Sequence, residues 1–426
     1  MSWQPPARPE WVRAINADEV APISLEARLP LERDALLAEA RARQGLADGD
    51  LDDFGHARFP AEAMIGPLDR FLRAVAEEAE LHTLGRWMTR RFLLRLLEVR
   101  LQLMRTLRAD PGILDEPIEK PLFVAGAPRT GTTLLHSLLD KDPLRRAPEG
   151  WELLRPVPPP DADPKKRAAD PRIPLADHEL ILPQTVVSGL LSIHVFGARR
   201  PKECLSAMSF AFLSEEFSTR YAVPSYESWL TREADLGPAY KMHRLVLQVL
   251  QRRTGAARWT LKSPVHLHSL PTLFDVYPDA RVAITHRDPQ TMLASLSSLV
   301  ANLRWAHSDV VEPAAIGRSH ADRYQRTLDG LVDATEAKSL PADQIHHLTY
   351  EALAGDKRGS IEALYARLGL ERSAAFDQAL EADLSARPRH EHGEHHYSLE
   401  DFALDPSDLE TRFARYRAGF GLRTES

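Results

Sequence analysis

A single cysteine, Cys204, in 426 residues rules out an intramolecular disulfide and any cysteine-based zinc or iron–sulfur cluster. Excess positive charge is missing too: 54 Lys and Arg stand against 61 Asp and Glu, a net charge of −7. That balance argues against non-specific binding to nucleic acid or to an anionic membrane, both of which need a basic surface. No apolar run is long enough for a bilayer, which takes about 20 mostly apolar residues. The most apolar stretch, Phe92 to Met104, is broken by Arg95, Glu98 and Arg100. Stable membrane insertion is therefore not expected. The start, Met1-Ser-Trp-Gln-Pro-Pro, has no charged segment followed by an apolar one, so no secretory signal is expected either. A soluble, cytoplasmic protein is the expectation. Hydrophobic residues make up 43%, enough to fill a core, and the length suits two or three domains or one elaborated α/β domain.

Residues 1–117 read as a helical N-terminal region without a phosphate-type glycine loop. From Thr89 onward, Phe92, Leu93, Leu96, Leu97, Val99, Leu103 and Met104 recur at helical spacing, with arginines expected on the other face. The pattern changes at Pro121-Leu-Phe-Val-Ala125, a short continuous apolar run typical of a buried parallel strand. Trp259 to Lys262, Arg281 to Thr285 and Ile345 to Tyr350 are three further short strands. Trp151 to Pro174 is proline-rich and reads as an irregular connection. Leu175 to Leu250 looks helical, so an insertion at about 151–257 is expected to wall a pocket within an α/β domain spanning 118–426. Ser360 to Leu368 reads as a helix ended by Gly369, and Leu409 to Phe420 as another.

Gly126-Ala-Pro-Arg-Thr-Gly131-Thr-Thr133 keeps the Gly-x-x-x-x-Gly frame of a phosphate-binding loop. Its glycines let successive N–H groups point at an anion, and the following helix adds the positive end of its dipole. A nucleotide triphosphatase needs Gly-Lys-Ser/Thr at the end of such a loop, but Thr132 occupies the lysine position and a cation comes earlier, at Arg129.

The loop resembles that of the PAPS-dependent sulfotransferases, in particular bacterial members that open Pro-Arg-Thr-Gly-Thr-Thr-Leu-Leu. Further motifs follow in order. Leu261-Lys-Ser-Pro-Val-His-Leu267 is similar to the family's Lys-Ser-Pro segment. Arg287-Asp-Pro289, with Ser295 eight positions after Arg287, is similar to its 3′-phosphate motif. Tyr350-Glu-Ala-Leu353 resembles its Tyr-Glu-Asp-Leu segment near the adenine, with Ala352 in place of Asp. His392-Gly-x-His395-x-Tyr397 resembles its C-terminal loop. The resemblance covers about residues 118–420. It implies a three-layer P-loop-like α/β fold with a central parallel sheet, the co-substrate 3′-phosphoadenosine 5′-phosphosulfate (PAPS), a small-molecule acceptor and no metal. It also implies that Ala127, Pro128, Arg129, Thr130, Gly131, Thr132, Thr133, Arg287, Ser295 and Tyr350 hold the nucleotide.

Physical reasons stand beside that resemblance. Arg287 follows the carboxyl end of a strand, where cofactors bind in parallel sheets, and arginine offers a planar fork to phosphate. Sulfuryl transfer needs no metal, because the migrating group carries one charge. It does need cations where charge grows on the departing phosphate, and Arg129 and Lys262 are placed for this. A base must take the acceptor's proton. Glu152, followed by Leu153 and Leu154, ranks first for that role, Glu149 second, with Glu203 and His266 as further candidates. The run Arg389-His-Glu-His-Gly-Glu-His-His396 is the most metal-like, yet no Cys or Asp cluster completes it, and it reads as a polar loop over the nucleotide. His268 and His286 read as buried hydrogen-bonded residues, Cys204 as a small buried residue, and Tyr221, Tyr226 and Trp229 as packing residues. The expected activity is transfer of a sulfuryl group to a hydroxyl or amine, with a homodimer as the expected assembly. The rivals are a P-loop small-molecule kinase and a non-catalytic nucleotide-binding scaffold.

Overall fold

Four short apolar runs become the strands of one parallel sheet, β1 (Leu122–Gly126), β2 (Thr260–Lys262), β3 (Arg281–His286) and β4 (Ile345–Thr349), ordered β2-β1-β3-β4. The computed structural model describes residues 3–46, 49–187, 190, 197–255, 258–386 and 397–423. β1 is buried along its whole length, as a central strand covered on both faces must be. Alternate residues serve opposite layers. Leu122, Val124, Ala283 and Leu348 pack against Leu135 and Leu138 of the helix Thr132–Leu139 and against Ile361 and Leu364 of the helix Lys357–Leu368. Phe123, Ala125, Val282 and Ile284 face the main core with residues of the helices Gly237–Gln251 and Thr83–Ala109. The result is the three-layer α/β arrangement expected from the sequence.

The register aligns Val124 with Lys262 and Gly126 with Thr285. The carboxyl ends of β1, β2 and β3 therefore bring the glycine loop, Lys262 and Arg287 to one edge of the sheet.

Two expectations need correction. The arginines of the 27-residue helix Thr83–Ala109 are not all on the outer face: Arg91, Arg105 and Arg108 are exposed, but Arg90, Arg95 and Arg100 are buried. Backbone carbonyls make this tolerable: Arg100 donates to Phe54 O at 2.8 Å and Phe210 O at 3.1 Å, and Arg95 donates to Leu154 O at 3.2 Å. The proline-rich segment is also not irregular throughout. Gly150–Leu154 and Pro164–Ala168 are short helices, and Pro164 sits in the first turn of its helix, where no backbone N–H is needed. Among the described residues no helix is long and apolar enough to cross a membrane.

Candidate functional site

The glycine loop is built by backbone conformations that few residues adopt. Gly126 and Gly131 have φ of +142° and +93°. A Cβ on Gly126 would lie 2.3 Å from Thr285 Oγ1, and one on Gly131 would lie 3.0 Å from the Tyr350 ring. Arg129 itself is left-handed at φ +71°, a strained conformation of the kind found at ligand-binding sites. No side chain caps the helix Thr132–Leu139, which leaves its first N–H groups to an anion. Thr130 turns inward, donating to Ala127 O and sharing a contact with the Thr285 hydroxyl, both at 2.6 Å. Its hydroxyl thus braces the loop on β3.

Pro128, Arg129, Gly131, Thr132 and Thr133 line a cavity of about 450 Å³ together with Lys262, Arg287 and Tyr350. Lys262, at the end of β2, is buried and lies 3.4 Å from Thr133 Oγ1 while forming an ion pair with Glu203. Glu203 lines the same cavity, and the backbone N–H of Cys204 donates to Lys262 O at 3.0 Å, fastening the Glu203 segment to β2. Arg287 donates to Arg129 O at 3.2 Å and stacks on Tyr350 at 4.1 Å, so β3, the loop and the start of the helix Tyr350–Gly355 are cross-braced. Ser295 does not line the cavity. Its hydroxyl is buried without a hydrogen-bond partner among the described residues, in the helix Pro289–Trp305 that starts two residues after Arg287. A buried donor of this kind calls for an acceptor.

The same cavity wall also carries the apolar side chains Leu180, Pro183, Leu205, Leu296, Leu299 and Val300. One cavity therefore holds the loop and its cations together with apolar side chains, with a lysine–carboxylate pair lining it.

Several expected residues lie elsewhere. Glu152 is not on the cavity wall: it is buried, ion-paired with Arg146, and accepts from the Glu149 N–H at 2.9 Å. Glu149 reciprocates through the N3 backbone and accepts from Trp151 Nε1 at 2.6 Å, so the two acids form a capping box for the helix Gly150–Leu154. Burial raises the Glu152 pKa, with Arg146 opposing. Their spacing of three, directly before an apolar turn, is a capping signature that the catalytic ranking passed over. His266 is also a core residue, bonded through Nδ1 to Tyr240 Oη at 2.9 Å and edge-on to Phe123 at 4.9 Å. Burial, aided by His243, holds its pKa well below 6.5. His286 is bonded to Tyr416 and His347, and Tyr226 donates to Phe212 O at 2.7 Å. Cys204 is a buried thiol whose pKa burial pushes up.

Residues the sequence did not single out include His136, Glu215, Glu216, Arg220, Arg323 and Tyr324, all on the cavity wall. Burial, reinforced by the Lys262 charge, pushes His136 down to about 3, which keeps it neutral. Among the described residues no group of three or more His, Cys, Asp or Glu is arranged to hold a metal. The histidine-rich run and the segment His392 to His396 lie outside the described residues.

Comparison with known proteins agrees with this geometry. A family model described as "Sulfotransferase family" matches residues 121–374, which include the loop, Lys262, Arg287 and Tyr350. The omega-hydroxy-beta-dihydromenaquinone-9 sulfotransferase Stf3 of Mycobacterium bovis is 28% identical over 280 residues, which are 59% of this chain and 63% of that protein. The chain thus spans less than two thirds of that relative's length. The crystal structure of sulfotransferase STF1 from Mycobacterium tuberculosis is 31% identical, covers 90% of this chain and 98% of its own, and superposes with a TM-score of 0.76. That of STF9 from Mycobacterium avium is 26% identical, covers 94% and 99%, and superposes with a TM-score of 0.78. With the family model matching more than half of its length and the fold shared with STF1 over 90% of it, this chain belongs to the sulfotransferase family.

Proposed function

We propose that the chain transfers a sulfuryl group from PAPS to a hydroxyl, or an amine, of a small and largely apolar acceptor. The observation that carries this reading is the Lys262–Glu203 pair, which lines the same cavity as the uncapped loop helix and a set of apolar side chains. Two features fit the nucleotide: the cradle that a Cβ on Gly131 would crowd, and the orphaned Ser295 hydroxyl in the helix that follows Arg287. Loop N–H groups, Thr132 and Thr133 would hold the 5′-phosphosulfate end. Arg287 and Ser295 would hold the 3′-phosphate, with Tyr350 beside the base.

When bound, PAPS supplies an activated sulfuryl group on a phosphate leaving group. The protein supplies positioning and charge. Lys262 and Arg129 oppose the negative charge that grows on the phosphate side. Glu203 accepts the acceptor's proton, with the Lys262 ammonium ion-paired beside it. The leucines of the cavity wall help exclude water, which would otherwise compete as the nucleophile. Stf3 is named for a hydroxy-dihydromenaquinone substrate, which agrees with the apolar side chains on the cavity wall here. A cytoplasmic location and a homodimer belong to the same reading, tested by cell fractionation and light scattering.

The test is incubation with sulfur-labelled PAPS and a panel of apolar alcohols and amines in a chelator. Label should appear on an acceptor and disappear in Lys262→Ala. Failure to bind PAPS, or transfer that survives Lys262→Ala, would overturn the assignment.

A further inference from the structure

β2, the strand that ends in Lys262, has three residues and lies at the edge of the sheet. Its inner side pairs with β1, so the groups on its outer side need other partners. Two of them meet the chain at Arg146. The Arg146 N–H donates to Arg258 O at 3.0 Å, and the Thr260 N–H donates to Arg146 O at 2.8 Å. A parallel ladder would continue with an N–H from residue 148 to Thr260 O. Residue 148 is proline and has none to give. At the far end, Lys262 O accepts from the Cys204 N–H at 3.0 Å.

His136 fills the gap that the proline leaves. Its ring is buried, and Nε2 lies 3.4 Å from Thr260 O. A carbonyl oxygen only accepts, so the neutral imidazole must carry its single proton on Nε2. His136 stands three residues after Thr133 on the helix Thr132–Leu139, which puts the two on one face. Thr133 Oγ1 lies 3.4 Å from Lys262 Nζ. The helix that opens at the phosphate-binding loop therefore meets β2 twice, at the Lys262 ammonium and at the backbone two residues before it. His136 also lines the main cavity.

We propose that His136 is a positioning residue for sulfuryl transfer: its hold on Thr260 O fixes where Lys262 stands against the anion-binding end of the loop helix. Without that bond the short edge strand keeps its lysine but not the lysine's exact place. A misplaced cation forfeits part of its effect on the departing phosphate, because catalysis of this kind depends on geometry set in advance. This rests on the sulfuryl-transfer reading and adds a residue to it.

The test measures single-turnover transfer from PAPS, beside titration with 3′,5′-adenosine bisphosphate, in His136→Leu and His136→Gln. Leucine fills the space without a donor, whereas the glutamine amide returns an N–H near the Nε2 position. His136→Leu should slow transfer by roughly threefold to tenfold, the range that one neutral hydrogen bond spans, with nucleotide affinity held within about twofold. His136→Gln should recover most of the rate. Full rate in His136→Leu, or equal losses in the two variants, would overturn the positioning role while leaving sulfuryl transfer intact. If His136→Leu fails to fold, proton–nitrogen correlation spectra of the histidine-labelled unmodified protein decide, with the His136 signal identified by its loss in His136→Gln. A neutral ring protonated on Nε2 at neutral pH is expected, and a ring protonated on Nδ1 would overturn the bond to Thr260 O. An unmodified protein that neither binds PAPS nor transfers from it would instead overturn the activity on which this inference stands.

Discussion

Arg417 places Nη2 and Nε 2.7 and 3.0 Å from a single oxygen of Asp288, with both side chains buried. Asp288 is the residue after Arg287. The residue before it, His286, bonds Tyr416 Oη at 2.8 Å and stacks on Phe420 at 4.0 Å. The C-terminal helix Ala414–Phe420 therefore grips both neighbours of the arginine assigned to the 3′-phosphate.

Arg417→Met should strip the buried Asp288 carboxylate of this counter-charge, leaving it its cap bond from the Gln290 N–H, and cost about 3–5 kcal/mol of stability, the usual penalty for breaking a buried pair. Affinity for 3′,5′-adenosine bisphosphate should fall with it. Chemical denaturation and calorimetry at a temperature where the variant is folded check both. Unchanged stability would show that the pair does not organise this corner.

Glu203→Gln should abolish transfer while nucleotide affinity changes little, because the amide keeps the shape and loses the base. Lys262→Ala should likewise lower kcat more than it weakens nucleotide binding. Rapid-quench rates beside equilibrium titrations separate the two effects. A Glu203→Gln enzyme with full turnover would send the search for the base to Glu215 or Glu216.

Glu152→Gln tests the opposite assignment. The amide oxygen can still cap the Glu149 N–H, but Arg146 loses its ion pair, at a cost of about 1–3 kcal/mol. Turnover of the folded variant should remain. Loss of turnover with wild-type stability would restore Glu152 as a catalytic group.

Stability should fall on acidification. Burial holds His136, His243 and His307 down to about 3, with Lys262 adding to the effect at His136 and Arg220 at His307, against 6.5 in the unfolded chain. Below about pH 6.5 the unfolded state therefore binds protons that the folded state refuses. Stability is fully present above that value and is lost as pH falls toward 3, by about 1.4 kcal/mol per pH unit for each histidine. Melting temperatures should be level above about pH 7 and drop below about pH 6. A level profile down to pH 5 would mean that these rings take up protons while folded.

Strands, loop and their common edge were legible because each signal is local. A continuous apolar run reports burial on both faces, and two glycines report backbone that L side chains resist. The placement of Lys262 and Arg287 followed from their positions at strand ends. The position of Glu152 was not legible for an equally physical reason: a carboxylate near a phosphate loop looks the same in sequence whether it points into the cleft or caps a helix. Only the tertiary path shows that Glu152 turns back to the Glu149 N–H while Glu203 meets Lys262. The charged wall of Glu216, Arg220 and Arg323 was invisible for a related reason. Glu216 and Arg220 pair within one helix, but Arg323 joins them, through Glu215, only when a helix about 100 residues further on packs against it. The burial of Arg90, Arg95 and Arg100 in the helix Thr83–Ala109 was not legible because periodicity reports polarity, not whether a carbonyl waits nearby.

The most direct test of the site is calorimetric titration, without magnesium, of 3′,5′-adenosine bisphosphate against 5′-AMP, in the wild type and in Ser295→Ala. The account predicts that the bisphosphate binds at least roughly tenfold more tightly, since Arg287 and Ser295 would each lose a charged hydrogen bond with 5′-AMP. It also predicts that Ser295→Ala narrows the gap. Equal affinity for the two nucleotides, or a gap untouched by Ser295→Ala, would contradict it.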